Sequence, residues 1–179
     1  MRGRFSIAIF AAQQNTALRN DGTRRGFGNS MSDVHGYYLE DMSAGMTAVY
    51  TRTVTEADIV LFSGISGDAN PVHLDQEFAA STMFKGRIAH GMLTASFIST
   101  VLGTKLPGPG CIYISQNLKF KAPVRIGETV KARVTVTAVD QERGRITVAT
   151  VCHVGETQVI DGEAQLLVPR RPGIPQAAE

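Results

Sequence analysis

Two residues in the middle of this 179-residue chain have the types and the spacing needed to move protons. Asp68 and His73 stand five positions apart, on either side of an Asn70-Pro71 turn. A carboxyl and an imidazole have pKa values of about 4 and about 6.5 in short peptides, so the imidazole can exchange the roles of acid and base at neutral pH. Pro71 fixes one backbone angle and limits how far the two side chains can drift apart. The spacing predicts a general acid–base pair.

A second stretch, Ile88-Ala89-His90-Gly91-Met92-Leu93, begins an apolar segment with a glycine. The first N–H groups of a helix have no acceptor within the helix, and the helix dipole favours negative charge beside them. Gly91 has no Cβ, so a carbonyl oxygen can approach its N–H closely. Together with the acid–base pair, these backbone donors predict chemistry on an acyl thioester, with stabilisation of a developing oxyanion.

Each of these residues also has a structural interpretation. Asp68 and Asn70 are common turn formers, and His73 taken alone would be a capping or partly buried imidazole. At this spacing, and before a helix that begins at a glycine, the catalytic interpretation is favoured. His90 either shapes the pocket or makes a structural hydrogen bond at the start of the helix. Ser96 has a helix hydroxyl of the kind that usually bonds a backbone carbonyl.

Composition excludes several classes of protein. A net charge of +2 is too small to indicate a nucleic-acid surface. Cys111 and Cys152 form no disulfide framework and have no metal-ligand spacing, so we expect two reduced, partly buried thiols. The chain has no apolar run long enough to cross a membrane. The residues therefore predict no metal, no redox cofactor, no nucleic-acid partner and no membrane partner.

Hydrophobic patterning divides the chain into an extension, a domain and a tail. Residues 1–45 are predicted to be a flexible N-terminal extension, residues 46–168 the domain, and residues 169–179 a flexible, proline-containing tail. Residues 1–30 are rich in arginine and poor in acids, which is typical of an unstructured tail, of sequence ahead of an internal start at Met31, or of an organelle transit peptide. We expect a cytoplasmic protein, with a mitochondrial location as the alternative if a transit peptide is present.

The domain is predicted to be α+β. An alternating strand starts near Met46, and Thr55 is placed to cap a short helix that ends at Gly64. A second short helix is expected over residues 76–81. Residues 88–102 contain no charged side chain, so this segment is predicted to be a helix buried nearly all round and ended by Gly103.

Four strands follow in the predicted domain. Alternating apolar residues place them at about 112–120, 130–138, 146–154 and 158–168. One strand, then helices, then four strands indicate an antiparallel sheet wrapped around a single buried helix. Such a sheet has an outer face and edges to cover, and dimerisation is the usual solution, so we expect a homodimer.

These motifs resemble the MaoC-like group of hot-dog-fold proteins. The resemblance rests on the sequence Ser-Gly-Asp-Ala-Asn-Pro-Val-His-Leu-Asp at 66–75, on Ile-Ala-His-Gly-Met-Leu at 88–93, and on Pro-Gly-Pro-Gly-Cys-Ile-Tyr at 107–113. Within the group, the likeness is greatest to the short (R)-specific enoyl-CoA hydratases that feed polyhydroxyalkanoate synthesis from fatty acid metabolism in bacteria. It runs from about Thr47 to Val168 and does not include residues 1–30.

The resemblance implies a role for each matching residue. Asp68 and His73 correspond to the catalytic pair that holds and activates a water, and Asn70 looks like a support for that pair. Gly91 corresponds to the backbone donor to the thioester oxygen, and Ser96 to a helix residue near the active site. His90 is retained as a candidate for shaping the substrate pocket.

The implied reaction is reversible syn addition of water to a trans-2-enoyl-CoA, giving an (R)-3-hydroxyacyl-CoA. Coenzyme A would enter only as part of the substrate. The alternatives are a 3-hydroxyacyl-acyl-carrier-protein dehydratase of fatty-acid synthesis, a non-catalytic acyl-binding partner subunit of the same fold, and a thioesterase. The presence of both Asp68 and His73 favours an enzyme over the partner subunit. Which of the two is formally the base is not decided by the sequence, because coupled groups share their protons.

Overall fold

The computed structural model describes residues 34–173, and within them five strands form one antiparallel sheet. The strands lie side by side in the order β1-β3-β4-β5-β2. Their bounds are Thr47–Thr53 for β1, Ile112–Phe120 for β2, Thr129–Asp140 for β3, Arg145–Val154 for β4 and Thr157–Leu167 for β5. The α+β architecture and all five strands predicted from the sequence are confirmed.

Apolar residues that alternate along the inner strands form the sheet side of the hydrophobic core. Val130, Ala132, Val134 and Val136 of β3 are all buried, and the residues between them point away. Successive side chains of a strand point to opposite faces, so this pattern buries one face of the sheet and leaves the other to solvent. The concave apolar face that results holds the long helix.

Helix α4, Gly91–Thr104, packs against this face and contacts β1, β3 and β4. Its buried side chains include Leu93, Phe97, Ile98, Val101 and Leu102. The prediction that this helix is buried nearly all round is wrong for the protomer, because Met92, Ser96 and Ser99 form an exposed stripe. The lack of charged residues suggested burial on every side, but a stripe of three small or flexible residues can face an open cavity without carrying a charge.

Gly103 is not the C-cap that the sequence predicted. The helix continues through it to Thr104, and Lys105 caps it by donating its N–H to the Val101 carbonyl. Gly103 has no positive φ, and apart from its neighbours and the nearby backbone of its own helix no atom lies within 4 Å of the position where its Cβ would be. A glycine ends a helix where the chain turns into the left-handed region, and this glycine does not.

The shorter helices precede α4 in the chain. Their bounds are Glu56–Ser66 for α1, Pro71–Leu74 for α2 and Gln76–Ser81 for α3. The predicted cap at Thr55 is confirmed by a reciprocal capping box with Asp58. Helix α1 passes the predicted stop at Gly64 because the left-handed turn comes at Gly67, with φ of 76°. The single turn α2 was not predicted.

Part of the predicted N-terminal extension belongs to the fold. Leu39, within the 3-10 turn Leu39–Asp41, is 0% exposed, and Met42 is also buried. The Leu39 N–H donates to the Pro169 carbonyl at 2.9 Å. The predicted domain boundary at residue 46 is therefore too late, since two apolar side chains before it join the core.

The first residues of the predicted tail are also held in place. Arg170 and Arg171 form ion pairs with Glu40 and Asp41. Residues 1–33 and 174–179 lie outside the described residues, so the predicted flexibility of the two termini stays a prediction there. No helix in the described range is long and apolar enough to cross a membrane.

Candidate active site

Asp68 lies in a loop whose shape is set by short-range hydrogen bonds. The Asp68 N–H donates to the Ser66 hydroxyl, and the Asp68 carboxylate accepts the Asn70 N–H at 3.2 Å. The Asn70 side chain in turn accepts the Val72 N–H at 3.2 Å and caps helix α2. Pro71 takes the first position of that helix, where its missing N–H loses no bond. Asn70 therefore fixes where α2 starts, and α2 carries His73.

The His73 imidazole is 8% exposed and is oriented by a backbone carbonyl. Its Nδ1 donates to the Ile88 carbonyl at 2.9 Å. A carbonyl oxygen can only accept, so Nδ1 carries a proton and, in the neutral ring, Nε2 carries the lone pair. The structure thus leaves Nε2 as the atom of His73 that can accept a proton.

Arg87 fixes the backbone behind this imidazole. Its Nε donates to the His73 carbonyl at 2.6 Å, and its terminal nitrogen binds Glu56 at the start of α1 at 2.7 Å. Only 16% of the Arg87 side chain is exposed. The sequence analysis did not identify this residue, because its two partners lie 14 and 31 positions away in the chain.

Burial lowers the pKa of His73 below its ordinary value of 6.5. Removing the imidazole from water penalises the charged form. The hydrogen bond to Ile88 and the nearby Asp68 carboxylate act in the opposite direction, and burial is the largest of the causes. His73 is therefore neutral at pH 7 and able to take a proton from water.

His90 completes a cluster with the predicted pair. It is 2% exposed, and its Nε2 donates to the Asp68 backbone carbonyl at 3.0 Å. Its ring lies against that of His73, with 3.8 Å between centroids and 31° between planes. One side-chain ligand atom from each of Asp68, His73 and His90 lies within 4.8 Å of the other two.

A carboxylate and two imidazoles are also a donor set that can bind a metal ion. A metal needs lone pairs that converge on one point, whereas lone pairs in two stacked rings run nearly side by side. The tilt of 31° leaves these two rings closer to stacked than to convergent. This arrangement suits proton exchange better than coordination, and the expectation from the sequence that the site needs no metal stays a prediction.

Gly91 begins helix α4 beside this cluster. The first intrahelical bond of α4 is from the Thr94 N–H to the His90 carbonyl, so the N–H groups of the first turn have no acceptor within the helix. A Cβ on Gly91 would lie 2.8 Å from the ring of Phe120. The Phe120 ring therefore leaves little room for any side chain at Gly91. The sequence did not reveal this reason for the glycine.

A cavity of about 490 Å³ runs along the exposed stripe of α4. Its walls are mainly apolar, and they come from α1, α4 and β2: Phe62, Met92, Ala95, Ser96, Ser99, Tyr113, Ile114, Ser115, Gln116 and Leu118. Phe62 also contacts the His90 ring, with 5.0 Å between centroids. The cavity therefore has the apolar character needed for an acyl chain, and Phe62 links it to the cluster.

Ser96 lies on the cavity wall, and its hydroxyl donates to the Leu93 carbonyl at 2.6 Å. Gln116 was missed by the sequence analysis. Its side chain donates to the buried Thr150 hydroxyl and to the Glu163 carbonyl, both at 3.0 Å. Two sequence patterns could have pointed to this residue: a glutamine among the apolar residues of β2, and a threonine among the buried residues of β4.

The two cysteines take no part in this site. Cys152 is buried in the core on β4, and burial raises its thiol pKa to about 12. Cys111 is half-buried, donates to the Leu102 carbonyl at 3.4 Å, and has its pKa raised by burial as well. Both cysteines are free, as expected, and neither thiol is activated.

The fold and the site define a class of protein. A family profile described as "MaoC like domain" matches residues 41–158. The chain belongs to the MaoC-like family, and its sheet wrapped around one long helix is the hot-dog fold of that family.

Individual relatives narrow the class. The chain is 54% identical over 142 residues to the (R)-specific enoyl-CoA hydratase of Rhodospirillum rubrum, covering 79% of this chain and 99% of that protein. It is 50% identical to the 3-hydroxybutyryl-CoA dehydratase of Methylorubrum extorquens, over 75% and 85% of the two chains. Among solved structures, an (R)-hydratase from A. caviae involved in PHA biosynthesis is similar at 40% identity and TM-score 0.71, covering 73% of this chain and 99% of that one.

Proposed function

We propose that this chain is an (R)-specific enoyl-CoA hydratase, which adds water reversibly and syn to a trans-2-enoyl-CoA to give an (R)-3-hydroxyacyl-CoA. One observation carries the proposal: Asp68 and His73 meet at His90, the residue before the unbonded N–H groups of α4, and Phe62 links this cluster to an apolar cavity. An enoyl thioester needs all three parts, since its carbonyl must be polarised, its C3 must meet a water and its alkyl chain must be buried. The names of the two most similar relatives described above agree with this assignment.

In the proposed mechanism, one water lies between the Asp68 carboxylate and Nε2 of His73. Its oxygen forms a bond to C3 while one of its protons passes to the pair, and the C2–C3 double bond moves its electrons toward the thioester oxygen. The Gly91 N–H stabilises the charge on that oxygen. The pair then delivers a proton to C2 on the same face, which restores both groups and makes the addition syn.

The environments of the two groups favour His73 as the member that changes protonation. Its bare Nε2 and its lowered pKa make it an acceptor at neutral pH. The Asp68 carboxylate is more exposed, and it can hold the water and stabilise the imidazolium that forms. Neither step requires a metal or a redox cofactor, so we propose that none is used and that coenzyme A serves only as part of the substrate.

We further propose that the enzyme works in the cytoplasm as a homodimer. Strand β2 is an edge of the sheet, and Ile112, Ile114 and Phe120 on it are exposed apolar residues. An exposed apolar edge strand is a ready site for pairing with a second copy. The cavity lies under this same strand, so a partner there would cover the acyl chain from solvent.

The test is an assay with crotonyl-CoA that follows loss of the enoyl absorbance and the chirality of the product. We expect (R)-3-hydroxybutyryl-CoA. An (S) product, or no turnover by folded protein, contradicts the proposal. The same assay with crotonyl-acyl-carrier-protein separates the dehydratase alternative, which predicts a higher kcat/KM for the carrier-protein thioester, and release of free thiol would reveal a thioesterase.

A further inference from the structure

His90 is the buried polar residue of the site to which the proposed reaction assigns no proton. It is more deeply buried than either Asp68 or His73. Its Nδ1 is a buried polar atom without a hydrogen-bond partner among the described residues. Leaving a buried polar atom without a partner costs free energy, so an apolar side chain would fill this space at a lower cost. The polar ring must therefore be explained by what its other nitrogen does.

That other nitrogen reaches the backbone of the catalytic loop. Nε2 donates to the Asp68 carbonyl at 3.0 Å, across 22 positions of sequence. The other described hydrogen bonds of residues 66–70 span at most four positions, among them those from Asp68 to Ser66, Asn70 to Asp68 and Val72 to Asn70. A longer bond, from the Ile88 N–H to the Val72 carbonyl at 3.3 Å, holds α2 rather than Asp68. Among the described residues, the bond from His90 is the one that ties Asp68 itself to the residue before α4.

The same ring also limits the movement of His73. The two imidazoles lie with 3.8 Å between centroids, and the Phe62 ring lies 5.0 Å from His90 on α1. The His90 ring therefore lies between Phe62 and His73, where it restricts rotation of the His73 ring.

We propose that His90 is a positioning residue, whose Nε2–H bond to the Asp68 carbonyl holds the Asp68 loop at a fixed distance from His73 and from the start of α4. This rests on the proposed function, because the distance matters only if both groups act on one water. His90 itself touches neither the water nor the substrate in this proposal. Misplacement of a reacting group by about 1 Å costs on the order of a hundredfold in rate, so one anchoring bond is sufficient to matter.

Two substitutions separate the hydrogen bond from the ring. His90→Phe keeps an aromatic ring of similar size but has no donor for the Asp68 carbonyl. His90→Gln loses the ring but places an amide N–H close to the position of Nε2. If the bond positions the loop, His90→Phe lowers kcat for crotonyl-CoA by about 10- to 100-fold with KM little changed, and His90→Gln stays within a few-fold of wild type. If His90 only fills space, kcat should instead be higher in His90→Phe than in His90→Gln, because phenylalanine fills the space better.

A second measurement does not depend on activity. Amide hydrogen exchange at Asn70 and Val72 reports whether the loop keeps its hydrogen bonds, and we expect protection to fall in His90→Phe and to be retained in His90→Gln. His153→Phe makes the same chemical change at a half-buried histidine on β4 and serves as the control, with turnover and loop protection unchanged. Thermal midpoints of all three variants show whether each is folded.

The outcomes are distinguishable. Full activity in His90→Phe, or equal losses in both His90 variants, overturns the positioning role. Unchanged loop protection in His90→Phe overturns it as well. If the wild-type protein itself fails to hydrate crotonyl-CoA, the proposed function is wrong, and the exchange experiment still decides whether His90 anchors the loop.

Discussion

At the scale of single residues, the site combines the exposed carboxylate of Asp68 with the buried imidazole of His73, five positions later. The same turn that exposes Asp68 directs His73 inward, because α2 begins between them at Pro71 and its rotation brings His73 to the buried side. Different environments allow two titratable groups to take different roles on one substrate. Two predictions follow from the chemistry of this pair.

The first prediction concerns removal of either group. Asp68→Asn and His73→Gln each retain the size and much of the hydrogen bonding of the natural residue but cannot accept and return a proton. General acid–base catalysis typically contributes about a hundred- to ten-thousand-fold, so crotonyl-CoA turnover should fall by that order in each variant while the thermal midpoint changes little. Because both groups act on one water, the double variant should be scarcely slower than either single one. Turnover within a few-fold of wild type in either single variant removes that residue from the pair.

The second prediction concerns pH. Burial lowers the pKa of His73, so the neutral, proton-accepting form persists below the ordinary value of 6.5. Asp68 and His90 face its ring, and Arg87 contacts its carbonyl. We expect kcat/KM to stay level as pH falls through 6.5 and to decline only at lower pH. The unfolded chain binds this proton more tightly, so stability should also fall as pH drops below 6.5. A decline in kcat/KM centred above 6.5 contradicts the lowered pKa.

At the scale of elements, the helix start is where three parts of the chain meet. Arg87 links α1 to the His73 carbonyl, His90 links the loop to α4, and the Phe120 ring of β2 covers Gly91. The positions of these links come from packing between elements rather than from the propensity of any one of them. Each link reaches the first turn of α4 or the peptides just before it.

A pair of glycines in α4 offers a matched test of this arrangement. In Gly91→Ala the new Cβ would lie 2.8 Å from the Phe120 ring, whereas no atom lies within 4 Å of the Cβ position at Gly103. Gly103→Ala should therefore raise the free energy of unfolding by about 0.4–1 kcal/mol. Gly91→Ala should lose this gain, and crowding of the ring should cost about 1–3 kcal/mol. Chemical denaturation of both variants gives the comparison, and equal stabilisation by both would show that the ring moves aside freely.

At the scale of the whole molecule, two features matter: the exposed edge of the sheet, and the chain segment that precedes β1. Strand β2 exposes apolar side chains at one edge, and Leu39 binds the core from a segment that precedes β1. The first feature predicts association with a second copy. The second predicts how much of the N-terminal region the fold requires.

The oligomeric state can be measured by light scattering at micromolar concentration. We expect the mass of a dimer, since edge pairing through β2 covers exposed apolar surface. Ile112→Lys places a charge on this edge at a residue that is 59% exposed and outside the cavity wall, and it should shift the protein toward the monomer. Lys131→Ala, on the central strand β3, is the control and should remain dimeric. A monomeric wild-type protein contradicts the prediction.

Two truncations test the domain boundary. A chain that starts at Met31 keeps Leu39 and Met42, and it should fold and hydrate crotonyl-CoA as the full chain does. A chain that starts at Met46 loses both buried side chains, each worth about 1.5–3 kcal/mol when fully buried, and its thermal midpoint should fall markedly. Loss of activity in the longer truncated chain would show that residues 1–30 are part of the domain. Equal stability of the two would show that Leu39 adds nothing to the core.

The sequence by itself determined the features that depend on neighbours along the chain. Strand alternation, the Thr55 cap and the proximity of Asp68 to His73 all arise from residues a few positions apart, where backbone geometry fixes what can meet. The long apolar segment also predicted correctly that α4 is a helix packed on the sheet. The MaoC-like resemblance, carried by the same local motifs, gave the family that the comparisons confirm.

Only the tertiary structure decided the features that depend on residues far apart in sequence. Leu39 meets Pro169, Arg87 meets Glu56 and His90 meets Asp68, and no local pattern specifies any of these pairs. The same reason explains why α4 runs past Gly103 and why its Met92 stripe is open: helix ends and exposed faces are set by what packs on them. Local sequence determined which residues could do chemistry, and packing between distant elements decided which of them are held in place to do it.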